Sequence, residues 1–147
     1  MIRAGVGAIS ESDVQRIATA AAVRCGDVAP AALTLGPATV DPEGIMLRVS
    51  PAEPAHQVRA ALRRAIADVW GAGAVPERAE GFTPHVTIAY SNSNGPAGLI
   101  AEAVHELGQR SATVTVGAAQ LIVLGRDAHL YQWRTYATVP LGEPPMA

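Results

Sequence analysis

The chain has 147 residues, of which 49% are hydrophobic, and its 11 basic and 13 acidic side chains leave a formal net charge of −2. That length suits one domain or two small lobes sharing a core, and the apolar content excludes a low-complexity disordered chain. The charge excludes global attraction to a long duplex and suits a small substrate or a nucleic-acid end better.

Residues 2–9 are apolar and glycine-rich and read as a short strand. Ser10-Glu11-Ser12-Asp13 supplies capping hydroxyls and early acids for a helix whose Val14, Ile17, Ala18 and Ala21 recur at helical spacing. Gly26 and Pro30 end it. Residues 31–40 and 45–50 read as strands joined by the turn Asp41-Pro42-Glu43-Gly44, a hairpin. A second helix spans residues 55–70, with Val58, Leu62, Ala65, Ile66 and Val69 on one stripe. Arg59, Arg63 and Arg64 lie off that stripe and are expected on a solvated face. Residues 71–81 form a linker. A strand over 82–90 follows, then a turn-rich loop at 91–96. A third helix carries Leu99, Ala103, Val104 and Leu107 and is closed by Gly108. Residues 112–124 read as one strand with a possible bulge at Gly117, and Gly125-Arg126-Asp127 turns it into a strand over 130–139. The tail from Gly142 is expected to fray.

The strand Phe82-Thr83-Pro84-His85-Val86-Thr87-Ile88-Ala89-Tyr90 carries the chemistry. Plain alternation puts His85, Thr87 and Ala89 on one face and Val86, Ile88 and Tyr90 on the other. An imidazole that titrates near neutrality beside a hydroxyl suits phosphoester chemistry. Pro84 removes a backbone donor, so the strand starts there or lies at an edge. By itself a His-x-Thr triplet is equally a strand histidine satisfying a local hydrogen bond.

The element order repeats: strand, helix, hairpin, linking helix, strand, helix, hairpin. Leu33-Thr34-Leu35-Gly36 echoes Val114-Thr115-Val116-Gly117, and Leu47-Arg48-Val49 echoes Trp133-Arg134-Thr135. Lobe 1 is drawn at about 1–54, the linking helix at about 55–70 and lobe 2 at about 82–141. Arg48 and Arg134 thus occupy matching positions, either as a symmetric pair flanking a phosphate or as two exposed strand residues. Tyr90 is placed in the core by preference, with a base-facing position at the strand end as the alternative. Tyr131 and Trp133 share a strand face and read first as core, second as a base-stacking platform.

The Phe-x-Pro-His-Val-Thr-Ile-Ala-Tyr run and the repeat together resemble the two-histidine phosphoesterase superfamily, which includes the 2'-5' RNA ligase-like proteins and cyclic nucleotide phosphodiesterases. The resemblance implies an α+β fold of two related lobes, with antiparallel sheets lining a central groove and helices outside. It makes His85 an acid/base and Thr87 its phosphate partner, with Tyr90, Arg134 and Arg48 as substrate-binding candidates. The substrate class it implies is a nucleotide or RNA end bearing a 2',3'-cyclic phosphate or a 2'-5' linkage, with no metal or nucleotide cofactor.

Relatives carry two His-x-Thr/Ser motifs, and this sequence carries one. His85 precedes Leu99 by 14 positions, and the same offset before Val14 falls just ahead of Met1. Three readings follow: a shortened chain, a lineage that kept only binding, or a partner chain that supplies the second histidine. An incomplete first strand also leaves an open edge through which two copies could pair as a homodimer.

Cys25 is the only cysteine, so no intrachain disulfide is possible and a cytoplasmic location is expected; it reads as a buried thiol and not a nucleophile. No apolar run of about 18 residues spans a membrane, and no secretion signal is evident. His56 and His105 are expected to face solvent, and His129 to lie in a turn. The histidines lack metal-site spacing. With no lysine in the chain, a glycine-rich phosphate loop ending in Lys is impossible.

Overall fold

The structure, a computed structural model, describes residues 9–127 and 130–142. The strand expected over residues 2–9 and the turn at His129 lie almost wholly outside them. In chain order the elements are α1 (Glu11–Gly26), β1 (Ala31–Asp41), β2 (Gly44–Ser50), α2 (Glu53–Trp70), a single 3-10 turn at Ala72–Ala74, β3 (His85–Tyr90), α3 (Gly98–Glu106), β4 (Ala112–Val116), β5 (Ala118–Gly125) and β6 (Gln132–Pro140). The class is α+β. Two compact units are each assembled from separated stretches of the chain. One compact unit holds α1, most of α2, β5 and β6; the other holds the β1–β2 hairpin, β3, α3 and most of β4.

The first unit grows from the cap of α1. Ser10 is extended (φ −71°, ψ 146°) and its hydroxyl accepts from the Asp13 N–H at 3.1 Å, satisfying one orphan donor of the first turn. Small residues then let α1, α2 and β6 approach closely. The core consists of Ala21 and Cys25 from α1, Ala61 and Ala65 from α2, and Val139 and Leu141 at the end of β6, flanked by Val58, Leu62 and Ala119. Cys25 is fully buried, and desolvation pushes its thiol pKa up, so it sits in the core as a small apolar group. Polar ties fix the helices around this core. The Arg24 guanidinium donates twice to the Asp68 carboxylate at 2.9 Å, which holds that carboxyl below its usual range. Both partners are about two-fifths exposed, so this pair orients more than it stabilises. Trp70 Nε1 donates to Asp13 at 3.1 Å, and the Tyr136 hydroxyl donates to Glu11 at 2.6 Å.

Two of the three α2 arginines are not on a solvated face. Arg59 donates to the carbonyls of Ala79 (3.0 Å) and Arg78 (2.8 Å) and pairs with Glu77 at 3.6 Å; its side chain is only 10% exposed. Arg63 donates to the carbonyls of Pro76 and Glu77 at 2.8 and 3.2 Å. The segment that composition marked as a plain linker is thereby clamped to α2, while Arg64 alone stays exposed. Guanidinium donors suit this task because the planar fork reaches two successive carbonyls at once.

The second unit is a four-stranded sheet in the order β3-β2-β1-β4. β1 and β2 form the expected hairpin around Pro42-Glu43, with Asp41 opposite Gly44. Their register slips between Leu35 and Ala38, where Gly36 and Pro37 stand against Arg48 alone. Gly36 has φ +112°, and a Cβ there would meet the Arg110 carbonyl oxygen at 2.5 Å, so only glycine fits. Leu33, Leu35, Ala38, Val40, Ile45, Leu47 and Val49 share one face by alternation and register. Helix α3 lies on that side: Ile45 and five α3-region side chains line an open apolar depression of about 430 Å³.

The stretch read as one strand over 112–124 is two strands in different sheets, β4 and β5, so Gly117 marks a change of sheet and not a bulge. Its carbonyl accepts from the Leu141 N–H at 2.9 Å. Gly142, the first residue of the expected tail, is tied by its N–H to the Cys25 carbonyl at 3.3 Å, and the rest of that tail lies outside the described residues.

Gly36→Ala should lose about 2 kcal/mol or more in urea unfolding, combining backbone strain with a backbone collision. Gly117→Ala meets nothing within 4 Å and should change stability by less than about 1 kcal/mol. Arg63→Ala should speed tryptic cleavage after Arg78, seen by timed digestion, while the core unfolds with an unchanged midpoint to within about 1 kcal/mol.

Candidate phosphate site on the polar face of the four-stranded sheet

The face of this sheet opposite α3 is polar, and the β2–β3 ladder sets its composition. Arg48 stands directly across from His85 and Met46 across from Thr87, so all four side chains project from one face. Thr39, opposite Met46, and Thr34, opposite Ser50, extend the same face onto β1. His85 and Arg48 are exposed and Thr87 is half-buried. Pro84, which precedes them, is buried and ends the ladder: β3 begins at His85 and is an edge strand among the described residues, meeting both conditions that a proline imposes.

The imidazole is oriented. His85 Nδ1 lies 2.8 Å from the Thr83 carbonyl oxygen. A carbonyl only accepts, so Nδ1 carries the proton and the neutral ring presents Nε2 as its free acceptor. An Nε2 lone pair, a hydroxyl two residues on and a guanidinium on the facing strand form a set able to accept a proton and hold phosphate oxygens. Arg48 has no ion-pair partner among the described residues, which leaves its charge for a ligand.

A bulge changes the far end of β3. Ile45 pairs with Ala89 while Met46 pairs with Thr87, so Ile88 is left without a ladder partner. Ala89 therefore shares the face of Ile45, toward α3, and Tyr90 turns to the face of His85 and Thr87. Simple alternation put Tyr90 on the opposite face and in the core; it is instead 52% exposed.

A second bulge displaces Arg134. Leu121 pairs with Ala137 and Ile122 with Thr135, leaving Tyr136 unpaired in the β6 ladder. Arg134, opposite Val123, thus shares the face of Leu121 and Ala137, and its charge acts on the Tyr136 phenol that hydrogen-bonds α1. The two arginines matched by the repeat do not occupy equivalent faces of their sheets. Trp133 turns to the other face and is 64% exposed, so it is not core. Tyr131 lies just before β6, with the Arg126 guanidinium 5.1 Å from its ring centre. His56 and His105 are exposed, as expected.

Sequence reasoning missed Thr39 and Thr34 on this face. The polar alternation Arg48-Val49-Ser50 was the available signal, and the slip at Gly36-Pro37 hid its continuation onto β1. Among the described residues no group of three or more His, Cys, Asp or Glu side chains is placed to hold a metal ion, and no helix is long and apolar enough to cross a membrane.

The family model of the 2'-5' RNA ligase superfamily matches residues 4–128. The crystal structure of the protein TT0787 of Thermus thermophilus has the same fold, with a TM-score of 0.66 at 14% identity over 93% of this chain and 74% of that one. No curated protein matches significantly.

Nitrogen-15 NMR of the neutral imidazole should show His85 protonated at Nδ1 and bare at Nε2; the reverse tautomer would overturn the assigned orientation.

Proposed function

Because this chain belongs to the 2'-5' RNA ligase superfamily, we propose that its polar sheet face binds a nucleotide or RNA end at a 2',3'-cyclic phosphate or 2'-5' phosphodiester. One observation carries the reading: Arg48 stands opposite His85 in the ladder, with Thr87 on the same face. In this reading His85 Nε2 takes or gives the proton at the attacking or leaving oxygen. The Thr87 hydroxyl donates to a non-bridging phosphate oxygen, and Arg48 offsets the phosphate charge.

The described face holds a single imidazole, whereas in-line displacement at phosphorus uses a base on one side and an acid on the other. Lacking one of the two typically costs about 10²- to 10⁴-fold in rate. The chain therefore favours binding and turns over slowly when alone.

Hydrolysis of nucleoside 2',3'-cyclic phosphates, followed beside binding of the corresponding nucleoside monophosphate, tests this. Arg48→Ala should weaken binding about tenfold, as expected for loss of one charge-assisted contact, and His85→Ala should weaken it comparably wherever the imidazole is protonated and donates from Nε2. Turnover abolished in His85→Ala would show that this imidazole catalyses. Binding unchanged in both variants would sink the site.

A further inference from the structure

We propose that the depression between α3 and β2 docks a basic amphipathic helix of a partner protein, on the side of the sheet away from the phosphate site. Periodicity carries the first half of the argument. Leu99, Ala103 and Leu107 recur every fourth residue with Ile100 and Val104 beside them, so the α3 region carries one apolar stripe. Such a stripe is ordinarily buried on the sheet beneath it. Here Leu99 is 81% exposed, Ile100 50% and Leu107 51%, and of the five only Val104 is half-buried. Together with Ile45 of β2 they line the open space of about 430 Å³.

Charge decides what fits there. At about 100° per residue, Glu106 falls about 20° and Glu102 about 60° from Leu99, so both run along the most exposed edge of the stripe. Glu43 stands in the turn two residues before Ile45. All three are exposed and have no ion-pair partner among the described residues. Glu102 and Glu106 also cost the helix stability: they are like charges one turn apart, and Glu106 ends α3, at the negative pole of its dipole. A cation bound beside them relieves both. The compact unit that holds α3 has five acidic residues and two arginines. Arg48 is on the opposite sheet face, Arg110 lies past the helix end, and His105 falls on the far side of α3 from the stripe. The same charge disfavours other occupants. A second copy of this face would set acid against acid, and an anionic membrane surface would be repelled. A helix with leucine-like side chains at i, i+3, i+4 and i+7 and cations alongside satisfies both the stripe and the acids. The nine residues of α3 are about 14 Å long, so about three turns of partner cover them.

The test is an NMR titration of the intact chain with a synthetic peptide of about 14 residues, in which leucine recurs at i, i+3, i+4 and i+7 and lysine fills the other positions. One control peptide has the same residues with leucine scattered around the helix; the other keeps the pattern and has glutamate for lysine. The wild type should bind the patterned lysine peptide at least about tenfold more tightly than either control, with shifts at Ile45 and along α3. Leu99→Ser, at a position too exposed to unsettle the fold, should weaken that binding at least about fivefold. Glu102→Gln combined with Glu106→Gln should weaken it by a similar factor. Equal binding of either control peptide would overturn the proposal, as would no binding of any peptide, or binding that survives Leu99→Ser or the double glutamine variant. Sedimentation that shows a dimer dissolved by Leu99→Ser would give the face to a second copy. Binding to phosphatidylglycerol vesicles that Leu99→Ser abolishes would give it to a membrane, and either result overturns the proposal.

Discussion

The register between β2 and β3 is the constraint on which the candidate site depends. A strand offers its side chains alternately to two faces, so one pairing decides the address of all the others. With Arg48 opposite His85, the imidazole, the Thr87 hydroxyl and the guanidinium fall together, and the apolar set of Leu47, Val49 and Val86 falls to the other side. A slip of one residue in β3 would deliver Val86 to the polar face and drive His85 toward α3. The apolar face therefore guards the proposed site: burying Leu33, Leu35 and Leu47 holds the register, and the register holds the polar side chains together.

Much of this was legible in the amino-acid sequence. The hairpin around Pro42-Glu43, the two long helices and the start of β3 just after Pro84 all announce themselves through turn residues and periodicity. His85 and Thr87 were legible for a further reason. They are two residues apart on a stretch of strand without a bulge, where alternation holds.

The misplacements share one physical cause. Tyr90 and the pair Trp133 and Arg134 each lie beyond a single unpaired ladder position, Ile88 in β3 and Tyr136 in β6. A bulge adds one residue without a change of composition, and every side chain past it changes face. Neither Ile88 nor Tyr136 is a glycine that would have flagged the irregularity. The α2 arginines escaped notice differently. A helical wheel shows which way Arg59 and Arg63 point but not that the chain returns 13 to 20 residues later to offer its carbonyls.

The strand that bears His85 is also the outer strand of its described sheet. Val86 to Ala89 is uncharged and rich in β-branched residues, the composition that recruits a foreign strand. Two features already described limit that hazard. Pro84 withdraws an amide donor where the edge begins, and the bulge at Ile88 breaks its straight run after three residues. What remains is a straight run of three residues, His85 to Thr87. The irregularity that reassigns Tyr90 thus also shortens the straight edge beside the candidate site, and straightening β3 to improve its pairing would lengthen the run open to a foreign strand.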